Sequence, residues 1–234
     1  GGAYIVGTKY KTGDYLPYIY KTEDYGKSWK PITNGIGSED FTRALRADPK
    51  REGLIYAGTE RGVYISFDDG ANWQKFQLNL PIVPITDMTI KNNNLIVATQ
   101  GRSFWMIDDL TPIHQLNKSL MKEDVILFKP QDSYRMGGGN GRTSKTSGTN
   151  HPGGVAINYF IKEKKEKDVV KLSIYDNEDQ LIKTFSTQPN KEKKEAKLTA
   201  VEGNNIFYWD MMYPGAERVK GMILWWASLN GPMA

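Results

Sequence analysis

The chain has 234 residues, a formal net charge of +4 and no cysteine, so disulfides and thiolate metal sites are excluded. It has no run of about eighteen apolar residues, so no transmembrane helix is expected. Residues 1–6 lack the basic-then-apolar pattern of a signal peptide.

The distribution of charge argues against nucleic-acid binding. Residues 1–128 carry 15 Lys and Arg against 15 Asp and Glu, so the positive excess lies in residues 129–234. Two runs of alternating sign, 162–168 and 191–197, contribute to it without interleaved aromatic residues. Such runs are typical of solvated surfaces, so we expect two exposed hairpin ends and no nucleic-acid partner.

The first half is predicted to repeat one small unit of strands and turns. Strand-like runs at 4–8 and 18–22 lead into one turn segment, and runs at 54–59 and 63–66 lead into another. Both segments read [Ser/Thr]-x-Asp-x-Gly-x-x-Trp, and we call them the first box (residues 22–29) and the second box (residues 66–73). Their spacing of about 44 residues is typical of propeller repeats.

The residue types of a box favour a turn over a catalytic site. An Asp side chain accepts backbone N–H groups two or three residues on, Gly allows a positive φ, and Trp covers the hairpin while burying about 200 Å². We therefore predict a structural role, not that of acids or metal ligands, for the box residues Thr22, Asp24, Gly26, Trp29, Ser66, Asp68, Gly70 and Trp73.

A third unit is degenerate. Strand-like runs at 95–99 and 104–107 are followed by Asp108-Asp109-Leu110, with no Gly or Trp to complete a box. The first unit differs in another way, because the connection between its two strands is longer by about seven residues than that of the second. Three units are too few for a propeller, which has four to eight blades. We expect this chain to be the C-terminal part of a longer protein, or to be completed by another chain.

The second half is predicted to contain a linker and a second β domain. One more strand is expected within 122–128, and the Gly/Ser/Thr-rich residues 129–154 form a linker. Short strands then follow, at 155–161, 169–175, 181–186, 196–200, 206–210 and 222–227, with a turn at 176–179. This spacing fits a sandwich of immunoglobulin or fibronectin type over residues 155–234, after propeller blades over 1–128.

Two of these strands, 206–209 and 222–227, are apolar on both faces, whereas period-2 alternation would bury one face only. Their second face is expected to pack on the propeller. Alternatively, strand 222–227 has an open edge that pairs with a strand from elsewhere.

The two boxes resemble the Asp-box, or bacterial neuraminidase repeat, of sialidase-like and sortilin-like β-propellers. Residues 58–70, 101–110 and 204–215 resemble large secreted bacterial proteins of the sortilin-domain or glycosyl hydrolase type. The resemblance implies an all-β chain with about three blades of a partial β-propeller, then an immunoglobulin-like sandwich that lacks its last strand. It also implies boxes on outer hairpins, and a secreted, periplasmic or cell-surface location in a bacterium.

The predicted function is that of a non-catalytic binding or scaffold protein for a protein, peptide or glycan ligand, without cofactor. The alternative is a sialidase-like glycoside hydrolase, which needs an arginine cluster, a Tyr–Glu nucleophile pair and an Asp acid around a central pocket. Arg61, Arg102 and Glu60 are candidates, although the two arginines lie in Gly-containing turns that favour a turn role. A third alternative is a sortilin-like peptide receptor, against which the lack of cysteine argues.

His114 and His151 are the only histidines, and no carboxylate cluster accompanies either at a metal-ligand spacing, so no metal site is expected.

Overall fold

A computed structural model of the chain describes residues 1–134, 153–193 and 195–215. These residues form strands and turns, with one five-residue α-helix, α1 (Thr111–Gln115), and two 3-10 turns, Tyr10–Thr12 and Leu120–Lys122. The predicted all-β class is confirmed. The chain divides into two compact units, Gly1–His114 and Gln115–Ala234.

The first unit contains three antiparallel sheets that follow one another along the chain. The first sheet consists of β1 (Ala3–Lys9), β2 (Asp14–Thr22) and β3 (Lys30–Pro31). The second sheet consists of β4 (Thr42–Ala47), β5 (Ile55–Thr59), β6 (Gly62–Ser66) and β7 (Gln74–Lys75). The third sheet consists of β8 (Ile85–Lys91), β9 (Asn94–Thr99) and β10 (Phe104–Ile107). Each strand pairs with its sequence neighbours, as strands do in a propeller blade.

The predicted strands of the first unit are confirmed, but the sequence patterns did not indicate β4 and β8. Both strands have a register shift near their start, between Thr42 and Ala44 in β4 and between Ile85 and Asp87 in β8. A bulge breaks the two-residue alternation on which strand prediction depends. For this reason neither segment had the pattern of a half-buried strand.

The second sheet lies between the other two and is covered on both faces. Every residue of β5 and β6 is buried, which explains the continuous apolar character of these strands. One core joins the second sheet to the third and includes Tyr56, Ile85 and Met88. Another joins it to the first sheet and includes Ile19 and Trp73.

The second unit contains two three-stranded sheets. One has the order β11 (Val125–Leu127), β12 (Val155–Ile161) and β16 (Gly203–Trp209), all antiparallel. The other has β13 (Lys171–Tyr175), β14 (Leu181–Ser186) and β15 (Ala196–Lys197), with β15 parallel to β14. The ring centroids of Phe185 and Phe207, one from each sheet, are 4.5 Å apart. The immunoglobulin-type topology stays a prediction.

The division between the units comes earlier than the predicted boundary at residue 128, because β11 pairs with β12 of the second unit. The described residues of both charged runs are mostly exposed, but neither run closes a hairpin. Residues 162–168 connect β12 and β13, which belong to different sheets, and residues 191–197 end with the parallel strand β15. Most of the predicted linker and the whole predicted strand 222–227, with its proposed open edge, lie outside the described residues.

Candidate functional site

The first box is a turn closed by its own side chains. The Thr22 hydroxyl donates to Asp24 Oδ1 at 2.8 Å and accepts the Gly26 N–H at 2.9 Å. Asp24 also accepts the hydroxyl of Ser28 at 2.6 Å and its backbone N–H at 2.9 Å. The hydrogen bonds from Ser28, followed by that from Thr22, lower the pKa of Asp24 to about 2 because they stabilise the carboxylate.

The second box repeats this network. The Ser66 hydroxyl donates to Asp68 at 2.9 Å and accepts the Gly70 N–H at 2.9 Å. Asp68 accepts the backbone N–H of Asn72 at 2.8 Å and its side-chain amide at 2.7 Å. Burial alone would raise the pKa of Asp68, but the hydrogen bonds from Asn72 and Ser66 outweigh it and lower the pKa.

In both boxes the Asp carboxylate accepts the N–H four residues on, and Asp24 also accepts the backbone N–H of Lys27, three residues on as expected. The N–H two residues on belongs to Gly26 or Gly70, and the Ser or Thr hydroxyl takes it. Both glycines have a positive φ, +85° and +84°, as predicted. The four polar side chains are thus engaged within their own turns. That they have no chemical role stays a prediction.

The two box tryptophans differ in burial. Trp73 is 6% exposed and packs between the first and second sheets, where its indole N–H donates to the Ile32 carbonyl at 2.8 Å. Trp29 is 36% exposed. The Trp29 ring does lie over its own hairpin, with Cζ2 3.7 Å from where a Cβ on Gly26 would be, but the predicted burial of the ring holds for the second box only.

The degenerate third unit replaces the box with a different contact. Asn93, at the turn between β8 and β9, donates to Asp109 and to Thr111, each at 2.9 Å. The backbone N–H of Leu110 donates to the Asn93 carbonyl at 2.9 Å, and Leu110 is fully buried. The chain then continues into α1 instead of returning as a fourth strand.

An open cavity of about 710 Å³ lies beside the long connection between β1 and β2. Its lining consists of Thr8, Lys9, Tyr10, Lys11, Thr12, Arg43 and Thr86. Among the described residues, the lining therefore contains three cationic side chains and no carboxylate. Sequence reasoning did not name these residues. The available signal was the extra length of the connection, because the added residues form the 3-10 turn Tyr10–Thr12 at the cavity wall.

Arg43 is held in place by Glu60 and by two aromatic rings. Its Nε lies 2.7 Å and its Nη2 2.6 Å from Glu60 Oε2. Its guanidinium carbon is 5.4 Å from the Tyr10 ring centroid and 5.0 Å from that of Phe41, and these rings stack at 5.0 Å. Ion pairing and stacking together fix the direction of the guanidinium group.

The two lysines of the cavity differ in how far they are neutralised. Lys9 Nζ is 4.0 Å from Asp14 and 4.5 Å from the centroid of the Tyr18 ring. Lys11 is exposed and has no ion pair among the residues that the structure describes. Because Glu60 and Asp14 offset Arg43 and Lys9, the cavity keeps a positive charge that centres on Lys11.

The three candidates for a hydrolase site do not come together as one. Glu60 is paired with Arg43, whereas Arg61 lies 2.8 Å from Glu39 and 3.8 Å from Asp40. Arg102 lies in the turn between β9 and β10, where its backbone carbonyl accepts the Trp105 indole N–H at 2.9 Å. No two of the three candidates pair with each other.

His114 contacts one carboxylate, not a cluster of ligands. Its Nε2 is 2.8 Å from Asp48 Oδ2. Across the described ranges, no group of three or more His, Asp or Glu side chains could hold a metal ion. His151 lies outside those ranges. Of the helices in the described part of the chain, none is long and apolar enough to cross a membrane.

No family model matches the sequence, and no curated protein matches it. Among solved structures, the chain is similar to YCF48 bound to D1 peptide, with a TM-score of 0.29 and 20% identity over 38% of this chain and 29% of that chain. It is also similar to an ancestral GH74 enzyme, with a TM-score of 0.31 and 12% identity over 73% of this chain and 22% of that chain. The chain thus spans less than a third of either structure, and likenesses this distant carry no argument about function.

Proposed function

We propose that this chain is part of a non-catalytic binding protein, and that the open cationic cavity of its first unit binds an anionic group of the ligand. The observation that supports this most directly is the lining of the cavity, which has three cations, several threonine hydroxyls and no carboxylate. Such a lining suits a carboxylate, sulfate or phosphate, because the cavity keeps a net positive charge at Lys11 after Glu60 and Asp14 have offset Arg43 and Lys9.

The arrangement of Arg43 favours binding over catalysis. The guanidinium is already oriented by Glu60 and by the stacked rings of Tyr10 and Phe41, so little side-chain freedom is lost when a ligand binds. Lys9, the last residue of β1, and Lys11, on the 3-10 turn that follows it, line the same cavity. A pre-oriented Arg with two lysines beside it is an arrangement that recognises charge without needing a proton donor or nucleophile.

The alternative, a sialidase-like glycoside hydrolase, has no support from a specific contact in the described residues. Glycosidases use two carboxyl groups on either side of the scissile bond. Here Glu60 is ion-paired with Arg43, and Glu39 and Asp40 flank Arg61. The alternative would depend on catalytic groups supplied by sequence other than this chain.

The family resemblance supports three further parts of the proposal. The chain belongs to a sortilin-like protein with Asp-box blades, it is secreted or displayed on a bacterial surface, and its second unit is an immunoglobulin-like sandwich. Further sheets, from a preceding segment or another chain, complete the propeller. The edge of β1 supports this last point, because among the described residues β1 pairs only with β2, whereas its counterpart β5 pairs with both β4 and β6.

Ligand titration of the full chain tests the proposed binding site. Hexaglutamate and sialyllactose serve as anionic probes, with lactose as the neutral control, and calorimetry measures affinity at low and high salt. We expect one anionic probe to bind with an affinity that falls as salt rises, and lactose not to bind. Lys11→Glu should weaken binding by roughly three- to tenfold, because reversing an exposed charge replaces attraction by repulsion.

Lys75→Glu is the matched control, because it makes the same charge change on β7, away from the cavity. Equal losses for both variants, or tight binding of lactose alone, would contradict the proposed site. Release of free sialic acid from sialyllactose would instead support the hydrolase alternative.

A further inference from the structure

The second box is seated on a loop of the first sheet, and we call this loop the receptor loop (residues 31–36). The indole N–H of Trp73 donates to the Ile32 carbonyl at 2.8 Å, and the backbone N–H of Trp73 donates to the Asn34 carbonyl at 2.9 Å. The Asn34 side-chain amide donates to Asn72 Oδ1 at 2.8 Å. The receptor loop therefore satisfies both N–H groups of the box tryptophan.

The two surfaces also fit closely in shape. A Cβ added to Gly70 would lie 2.5 Å from Ile32 Cδ1, so the Ile32 side chain fills the space above this box glycine. Gly35 has φ +97°, and a Cβ there would lie 2.2 Å from the Trp73 carbonyl oxygen. An apolar side chain, two carbonyls and a glycine thus form a surface complementary to one box.

A charged contact next to the receptor loop adds to this fit. Asp69, within the second box, accepts a hydrogen bond from the Tyr4 hydroxyl and pairs with Lys21 at 2.5 Å. Burial and Asp69 raise the pKa of Tyr4 to about 12, so its hydroxyl remains a donor at neutral pH. The first sheet therefore binds the second box through apolar, hydrogen-bonded and ionic contacts together.

The first box has the same internal network, but its glycine is covered by the box's own indole, with Trp29 Cζ2 3.7 Å from where a Cβ on Gly26 would lie, and not by a described residue of another sheet. Trp29 is 36% exposed and Tyr25, at the position of Asp69, is 87% exposed. Within residues 1–134, 153–193 and 195–215, neither the indole N–H nor the backbone N–H of Trp29 has an acceptor. These are the two groups that the receptor loop satisfies in Trp73.

We propose that the first box is a docking surface for the receptor loop of another sheet of the same type. The partner segment follows a box, and it presents a β-branched apolar residue, then an Asn two residues on, then a Gly. Its apolar side chain packs against the exposed Trp29 ring, which lies over Gly26, and two of its carbonyls accept the two N–H groups of Trp29. The partner also places a strand beside the edge of β1 that is unpaired within the described part of the chain, as β4 lies beside β5.

A second copy of this chain does not fit this surface. Its own receptor loop is already filled by its second box. Its third sheet has no box, and the chain continues from Leu110 into α1. The partner is therefore a different box-bearing sheet. The inference rests on the proposed completion of the propeller, but not on the ligand of the cavity.

A fused chain tests the inference. A second copy of residues 1–51, in which Trp29 is replaced by Phe, is joined in front of residue 1 of the full chain. The copy then offers its receptor loop to the original Trp29 and its β4 segment to the edge of β1. Hydroxyl-radical footprinting with mass spectrometry measures the oxidation of Trp29 and Trp73 in fused and unfused chains.

We expect oxidation of Trp29 to fall at least fivefold in the fused chain, towards the rate of Trp73. The matched control carries Ile32→Asp and Gly35→Val in the added copy only, and should leave Trp29 as reactive as in the unfused chain. Equal Trp29 oxidation in the fused and unfused chains, with Trp73 still protected, would overturn the proposal. So would protection of Trp29 in a dimer of the unfused chain.

A second measurement applies if the fused chain does not fold, which loss of Trp73 protection would reveal. A backbone-cyclised peptide of residues 30–40 is added to the unfused chain, with the Ile32→Asp peptide as its control. We expect protection of Trp29 that rises with peptide concentration and is absent with the control peptide. No protection at millimolar peptide would overturn the proposal. Neither result alters the ligand titration of the cavity, so the two proposals fail separately.

Discussion

Nε2 of His114 lies 2.8 Å from Oδ2 of Asp48, and the Asp48 side chain is completely buried. The other oxygen of Asp48 accepts the backbone N–H groups of Lys50 and Arg51 at 2.8 and 3.0 Å. One carboxylate thus ties the last residue of the first unit to the turn between β4 and β5.

Asp48→Ala is expected to lower the free energy of unfolding by about 3–5 kcal/mol, because it leaves the imidazole and two N–H groups without their shared acceptor. His114→Ala should cost less, since the His114 side chain is 15% exposed. Urea unfolding of both single variants and of the double variant measures the coupling. If the two losses simply add within about 0.5 kcal/mol, the contact contributes nothing of its own.

The two box tryptophans should differ in their contribution to stability. Trp73→Ala removes a ring from the core between two sheets and should cost about 3–5 kcal/mol. Trp29→Ala should cost clearly less in this chain, because its ring is 36% exposed against 6% for Trp73. Denaturant unfolding of both variants gives the comparison. Equal losses would mean that the rings are equally buried in solution.

Gly35→Ala should destabilise the chain more than Gly101→Ala. Both glycines have a positive φ, +97° and +91°, so an alanine at either position adds backbone strain of about 1–2 kcal/mol. At Gly35 the new Cβ would also lie 2.2 Å from the Trp73 carbonyl oxygen, whereas at Gly101 it would meet nothing within 4 Å. Thermal unfolding of the two alanine variants measures the difference in stability that the clash at Gly35 causes. A difference near zero would argue against a seated second box.

Acid should weaken the first box through Asp24. Its pKa is about 2 in the folded chain against an ordinary value of 3.8, so its contribution to stability is present above about pH 4 and is lost as the pH falls towards 2. Ser28→Ala removes the largest cause of the shift and should raise the pKa of Asp24 towards 3.8. NMR titration of the carboxyl carbon measures both values. An unchanged pKa in the variant would contradict the assigned cause.

The fold could be predicted where the sequence pattern is local. The box turns follow from residues within eight positions of each other, and so do the β-branched runs that become β5 and β6. The bulged strands β4 and β8 and the parallel pair β14–β15 depend on pairing with distant segments, which alternation along the chain does not report. For the same reason, the earlier division between the units, set by the β11–β12 pair, was not visible.

The candidate site was less predictable than the fold. Lys9, Lys11 and Arg43 are ordinary surface residues in the sequence, and they surround a cavity only because β1, β4 and β8 lie side by side. Arg61 and Glu60 stood out because they are adjacent, yet each is paired with a residue from another segment. Their partners, Glu39 and Arg43, are distant in the chain and close only in the fold.

Because the second box packs on the loop that precedes it in the chain, unfolding at the two ends of the first unit should have unequal consequences. Melting of the first sheet would unseat Trp73 and so weaken the second sheet, whereas fraying of β10 would leave the Trp73 contact with Ile32 intact. Unfolding of the first unit should therefore spread from β1 towards β10 more readily than from β10 towards β1. A partner that covers Trp29 would therefore slow unfolding of the first sheet and, through the Trp73 contact, of the sheets that follow it.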